Sequence, residues 1–219
     1  MYKAILFDLD GTLTESGPGI MNSVKYALEK FGIRENDFTK LRAFVGPPLI
    51  DSFQRFYGLD EGSAKKAVEY YREYFVPKGI FENELYPGVR EMLEELKHSG
   101  YLLAVASSKP EPYVCRIMDY FEIADFFDVI TGSTLDEKRT DKHEVIEETL
   151  DRLGMKEMRS QVLMVGDKEH DVFGARTSGL DCIAVLYGYG TREEIEAAAP
   201  LKIAETVEEL TQFLTVFGD

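Results

Sequence analysis

The sequence predicts an α/β fold: a parallel sheet with helices on both faces and a small all-helical domain inserted after the first strand. Three observations carry that prediction. From about residue 84 onward, short apolar β-rich runs alternate with segments of helical spacing. A run of the same kind, Ala4-Ile5-Leu6-Phe7, stands alone near the start of the chain. The stretch between them, 15–82, holds helical patterns and no convincing strand. Strands that alternate with helices imply βαβ crossovers, and these build a parallel sheet whose faces are both covered.

The elements follow in chain order. Residues 3–7 read as a buried strand bounded by Asp and Gly. The helical block comes next, with Gly19 to Phe31, Pro48 to Tyr57 and Ser63 to Phe75. Glycine and proline punctuate it at Gly17-Pro18, Gly46-Pro47-Pro48, Pro77-Lys78-Gly79 and Pro87-Gly88. A helix around Glu91 to Leu96 closes at Gly100, and Tyr101 to Ala106 is a strand. Helix Pro110 to Phe121, strand Phe127 to Ile130, helix Lys142 to Leu153 and strand Val162 to Val165 continue the alternation. Helix Asp171 to Ser178, strand Cys182 to Leu186 and helix Val207 to Phe217 complete it. The expected partition is a Rossmann-like three-layer core, residues 1–14 and 83–219, with a helical cap at 15–82. A cap in that place would cover the carboxyl ends of the strands, where such sheets bind ligands.

Composition narrows the function classes. At 219 residues and 44% hydrophobic, the chain can build one sizeable core plus a small insertion. Its apolar runs fall far short of the roughly 20 residues that cross a bilayer. No basic segment followed by an apolar one opens the chain, so no secretory signal is expected. Cys115 and Cys182 lie far apart, without metal-ligand spacing, and read as buried free thiols suited to a reducing cytoplasm. A formal net charge of −15 argues against a nucleic-acid surface, which needs clustered Lys and Arg. It serves solubility, and an anionic substrate then needs a local cation. No membrane or nucleic-acid partner is expected.

Chemistry concentrates at the strand ends. The first strand runs into Asp8-Leu9-Asp10-Gly11-Thr12. Two carboxylates two positions apart would share a face if the strand continued. Their repulsion favours a bound cation or a raised pKa. Ser107-Ser108-Lys109 follows the strand 101–106 and puts hydroxyls at the mouth of a helix, a ready anion site. Lys142 opens a helix, with Lys138 and Arg139 as competing cations just before it. Gly166-Asp167-Lys168-Glu169-His170-Asp171 follows the strand 162–165, and its i, i+4 aspartates would meet on one helix face. His170, His98 and His143 read as structural or surface residues. Hard oxygen donors of this kind suit Mg²⁺.

These four segments resemble the motifs of haloacid dehalogenase-superfamily phosphatases. D-x-D-G-T is matched at Asp8 to Thr12, the Ser/Thr motif at Ser107, the helix-start lysine at Lys142 and G-D-x-x-x-D at Gly166 to Asp171. The resemblance covers the whole chain, including the helical cap in the C1 position. The stretch Phe44-Val45-Gly46-Pro47-Pro48-Leu49 resembles the cap loop of the phosphoglycolate phosphatase and 5′-nucleotidase-like branches. By that resemblance Asp8 is the nucleophile that forms an aspartyl-phosphate, and Asp10 is the acid and then the base. Ser107 and Lys142 bind the phosphoryl group, with Leu9, Asp10 and Ser108 completing the phosphate-binding set. Mg²⁺ is held by Asp8, the Asp10 carbonyl and Asp167, with Asp171 supporting that shell. Cap specificity falls to Lys40, Arg42 and Gly46. The implied substrate is a small phosphorylated metabolite, phosphoglycolate or a nucleoside 5′-monophosphate.

Asp10 counts against a dehalogenase, which needs no acid/base there, and against a phosphonatase, which wants a small residue. A sugar phosphomutase shares the core chemistry and stays open as the alternative. A receiver-type phospho-acceptor module is shorter, has no inserted cap and carries its phosphoaspartate on a later strand. The absence of G-x-G-x-x-G after the first strand disfavours a dinucleotide-binding enzyme.

Overall fold

The computed structural model describes residues 1–135 and 139–216. The chain divides into two compact units, Met1–Thr14 with Leu85–Asp219, and Glu15–Glu84. The first unit is built on a six-stranded sheet: β1 (Ala4–Phe7), β4 (Leu102–Pro110), β5 (Val129–Ser133), β6 (Val162–Gly166), β7 (Asp181–Val185) and β8 (Lys202–Ala204). Their order is β5-β4-β1-β6-β7-β8, and the paired strands run parallel. From β1 the chain builds outward to β4 and β5, then returns to β6 on the other side of β1. The strand order therefore reverses beside β1, which makes the loops after β1, β4 and β6 the switch-point loops where such sheets bind ligands.

Strand periodicity separates the two faces of the sheet. Ala4, Leu6, Ala104, Ala106, Val162, Met164, Cys182 and Ala184 share one buried cluster. With them sit Val145, Ile146 and Leu150 of α7 (Lys142–Leu153), Val172 and Ala175 of α8 (Glu169–Thr177), and Ile195 and Ala198 of α9 (Arg192–Ala198). The residues in between, Ile5, Phe7, Leu103, Val105, Leu163 and Val165, are equally buried. On that side α5 (Val89–His98) packs on β4 and against α10 (Val207–Val216), and the Tyr101 hydroxyl donates to the Leu214 carbonyl at 3.0 Å. A strand buried on both faces is the continuous apolar run that the sequence displays. Helix α6 (Glu111–Tyr120) links β4 to β5.

Helix α7 occupies the span that its spacing predicts, because Asp141 caps it by accepting from His143 N at 2.8 Å and Gly154 ends it in the left-handed region. Two core elements escape the sequence reading. Strand β8 is a three-residue edge, too short for a periodic signal. Helix α9 carries a capping box between Thr191 and Glu194, a local T-x-x-E signal that outlines a helix of only seven residues.

The second unit is helical: α1 (Gly17–Lys30), α2 (Phe38–Arg42), α3 (Leu49–Tyr57) and α4 (Glu61–Phe75). Helix α4 packs on α1 and α3. Phe44, fully buried, meets Phe53 edge-on with centroids 4.9 Å apart, and Tyr71 stacks on Phe75 at 5.2 Å. The aromatic run 70–75 is thus half core and half rim, as its spacing suggests. Helix α2 is a single turn capped by Asp37, too short to show an apolar stripe. Short strands β2 (Thr14–Glu15) and β3 (Glu84–Leu85) pair where the chain passes from one unit to the other.

Candidate active site

The site begins where β1 stops. Asp8 extends the parity of Ala4 and Leu6, so its carboxylate emerges on the α7 side of the sheet. There the Lys142 ammonium lies 2.9 Å from Asp8 Oδ1 and 2.8 Å from Asp171 Oδ1, and donates to the Ala106 carbonyl at 3.0 Å. Lys142 reaches this point as the first residue of α7, and it is buried. Of the competing cations, Arg139 is engaged elsewhere, with Glu111, Glu148 and the Gly132 carbonyl. Lys138 lies outside the described residues.

The condition for Asp8 and Asp10 to share a face, a strand that continues past Asp8, is not met. The strand ends at Phe7 and the chain turns at once: the Leu9 carbonyl accepts from Thr12, Leu13 and Thr14 N–H. Gly11 sits at φ +85°, where a side chain would be strained and would also overlap the Asp167 carboxylate. Period two therefore lapses between the two aspartates. Asp10 instead pairs with Lys109, Nζ to Oδ2 2.7 Å, both side chains nearly buried. Each carboxylate takes its own lysine, which relieves the repulsion that the sequence implies. Leu9 is fully buried, so its side chain is not available to a ligand.

Ser107 and Ser108 also differ from expectation. Strand β4 does not stop at Ala106: its pairing with β5 shifts register between Ala106 and Pro110, and α6 starts only at Glu111. Ser107 is thus buried in an irregular strand end rather than at a helix mouth, and its Oγ accepts from Lys109 N at 3.3 Å. The same irregularity brings Lys109 to Asp10.

Asp167 and Asp171 do meet, though not as neighbours on one helix face. Asp167 precedes α8, in the loop after β6, and Asp171 lies in its first turn with Oδ2 accepting from Lys168 N at 3.0 Å. Carboxylate oxygens of Asp8, Asp167 and Asp171 lie within 4.8 Å of one another. Three acids thus face one buried lysine. Burial pushes the Asp8 carboxyl up to about 6; Lys142 opposes this and Asp171 adds to it. Asp167 stands well above the usual carboxylate range, first by burial and then by the charges of Asp171 and Asp8. For Lys142 burial pulls the other way, but Asp171 and Asp8 outweigh it and the ammonium stays protonated. The surplus negative charge and the all-oxygen donor set fit a hard divalent cation.

That surplus has a measurable cost. Asp167→Asn, which keeps an oxygen to accept from Tyr189 N, is expected to raise the melting temperature in metal-free buffer. Relief of roughly 1 kcal/mol corresponds to about 2–4 °C in a chain of this size. Thermal denaturation in chelator checks it, and a lower melting temperature would contradict the charge balance described above.

Sequence reasoning missed two features. One is Lys109 as the partner of Asp10, although it stood inside the segment Ser107-Ser108-Lys109. The other is the loop Tyr187-Gly188-Tyr189-Gly190 after β7. Its Tyr189 N–H donates to Asp167 Oδ2 at 2.7 Å, and the Tyr187 hydroxyl donates to the Thr12 carbonyl at 3.0 Å. Two glycines in four residues were the available signal of a close backbone approach. Lys40, Arg42 and Gly46 belong to the helical unit. Lys40 is exposed and pairs with Glu35 at 3.7 Å; Arg42 and Gly46 are also exposed. His170 is exposed, and His143 is half-buried on the Ser178 hydroxyl at 2.8 Å.

Residues 5–185 match the family described as haloacid dehalogenase-like hydrolase. A 5′-nucleotidase of Pseudomonas aeruginosa is 43% identical over 97% of this chain and 96% of its own length. The tyrosine-protein kinase PtkA of Mycobacterium tuberculosis is 37% identical over 98% of this chain and 73% of its length. A phosphoglycolate phosphatase of Vibrio parahaemolyticus is 30% identical over 98% and 96%. The crystal structure of a predicted phosphatase from Clostridium acetobutylicum superposes with a TM-score of 0.94 at 44% identity, covering 99% of both chains. Among the described residues no helix is long and apolar enough to cross a membrane. The chain belongs to the haloacid dehalogenase-like hydrolases, and within them it is a phosphoric monoester hydrolase.

Proposed function

We propose that this protein is a Mg²⁺-dependent phosphatase that hydrolyses a small phosphomonoester through an aspartyl-phosphate. The observation that carries the reading is the division of labour at the end of β1. Asp8 stands with Lys142 and the acidic cluster, while Asp10 stands apart on Lys109. Asp8 attacks phosphorus in line, and the P–O bond to the leaving group breaks. Asp10 gives that oxygen its proton, then takes one from the water that cleaves the acyl phosphate. Lys142 and the Ser107 hydroxyl hold the phosphoryl oxygens, where charge spreads in the transition state. Asp8, Asp167 and the Asp10 carbonyl would hold the cation, with Asp171 supporting them; it would supply neutralisation of the charge between carboxylate and phosphate.

For the substrate we favour a nucleoside 5′-monophosphate over phosphoglycolate, because the relative at 43% identity is named a 5′-nucleotidase. Lys40, Arg42 and the Gly46 loop of the helical unit are the proposed contacts to the leaving group. A panel of phosphorylated metabolites ranked by kcat/KM tests that choice. It also separates hydrolysis from transfer: a phosphomutase would release no free phosphate without a sugar-bisphosphate activator.

Metal removal tests the cofactor. Chelation is expected to lower turnover of an aryl phosphate by more than about 100-fold, with full recovery on adding Mg²⁺. A rate indifferent to chelator would remove the metal from the mechanism.

A further inference from the structure

We infer that the loop Tyr187–Gly190 is a clamp that fixes the Asp167 carboxylate against the Asp8–Thr12 turn and thereby sets the divalent-cation affinity of the acidic cluster. The inference rests on the Mg²⁺ reading above and extends it to residues outside the four motifs. Four contacts carry it, one from each residue of the loop. The Tyr187 hydroxyl donates to the Thr12 carbonyl at 3.0 Å and so ties the loop to the turn that bears Asp8 and Asp10. The Tyr187 ring is itself held, edge to face on Tyr86 with centroids 4.9 Å apart.

Gly188 lies against both the Asp8–Thr12 turn and Asp167. A methyl carbon there would fall within 3.0 Å of both the Gly11 carbonyl oxygen and the Asp167 side chain. Real Cβ atoms essentially never approach so closely, so any larger residue must push the turn and Asp167 apart. Gly190 meets the Asp167 backbone carbonyl in the same way. Tyr189 N–H then holds Asp167 Oδ2 at 2.7 Å.

The physical need is plain. Asp8, Asp167 and Asp171 repel one another, and a cation site works only if their oxygens are held at a fixed separation. A backbone N–H is a donor without rotamer freedom, so it pins one oxygen of Asp167 and leaves the orientation of the other determined. Glycine on either side lets that N–H approach. Loop and acid are thus a single positioning device, and Tyr187, Gly188 and Gly190 act through Asp167 rather than on substrate.

The test is Mg²⁺ titration of the full chain by calorimetry, without substrate, for wild type and for Gly188→Ala, Tyr187→Phe and Asp167→Asn. Gly188→Ala is expected to raise the Mg²⁺ Kd by about 10–100-fold, the usual range for a residue that orients a ligand. Its turnover should recover toward wild type as Mg²⁺ is raised, which a general folding lesion would not do. Tyr187→Phe, which removes one hydroxyl and keeps the ring, should raise the Kd by about 3-fold, and it serves where Gly188→Ala does not fold. Wild-type affinity in both loop variants, with binding lost in Asp167→Asn, overturns the clamp and leaves the metal reading standing. No Mg²⁺ binding by the wild type overturns both.

Discussion

Asp8→Asn is expected to fold normally and to lose at least about 10³-fold in turnover, some 4 kcal/mol of transition-state stabilisation. The amide cannot form the acyl phosphate on which the proposed mechanism depends. Folding should survive for a reason visible in the charge balance. Lys142 retains Asp171 at 2.8 Å and the Ala106 carbonyl at 3.0 Å. The variant also removes one of three crowded, buried acids whose burial already disfavours ionisation of Asp8. Circular dichroism and melting should therefore match or exceed wild type while activity disappears. Turnover within about tenfold of wild type would assign the nucleophile to another residue.

Asp10→Asn should behave differently, because in the proposed mechanism Asp10 serves both halves of the reaction. An asparagine oxygen can still accept from Lys109, so the side chain keeps its place, but it can neither give nor take the proton. With an aryl phosphate the leaving group departs without assistance, so the first step continues. Hydrolysis of the acyl phosphate then lacks its base and should slow by about 10²–10⁴-fold. Rapid mixing should show a burst of phenolate equal to the enzyme present, followed by slow turnover, and mass spectrometry should find a phosphorylated chain. A uniform slowing with no burst would mean that Asp10 does not act on the second step. Comparing the two variants separates a lost nucleophile from a lost base in one assay.

Much of this site was legible in the linear chain because its parts are local. A strand that ends in Asp-x-Asp-Gly, a lysine at the start of a helix and a Gly-Asp-x-x-x-Asp after a strand are all short-range patterns. Crossover topology places all three at the same sheet edge whatever the details. Helix α7 was readable to the residue because its cap and its C-terminal glycine are adjacent signals. Elements that span two periods or fewer, α2, β8 and the seven-residue α9, carried too little pattern to register.

What stayed hidden depends on long-range pairing. Which lysine meets which aspartate follows from the irregular end of β4 against β5, and no spacing within either segment encodes it. The Asp8–Asp10 relation stayed open for a related reason: period two holds only while a strand lasts, and this one ends at Phe7. The loop at Tyr187–Gly190 bonds to Thr12 and Asp167, which lie 175 and 22 residues from their partners in the sequence.

Local pattern in the chain was enough to place an aspartate at the end of the first strand, a second acid two residues on, a lysine at a helix start and two further aspartates after a later strand of one parallel sheet. The tertiary structure decided how those charges are paired: Asp8 with Lys142, Asp10 with Lys109, and Asp167 with a backbone N–H. The physical reason is one of range. Identity and local spacing settle which groups stand at a strand end, but the neighbours that neutralise a buried charge come from other strands, helices and loops, and only the packed core brings them within 3 Å.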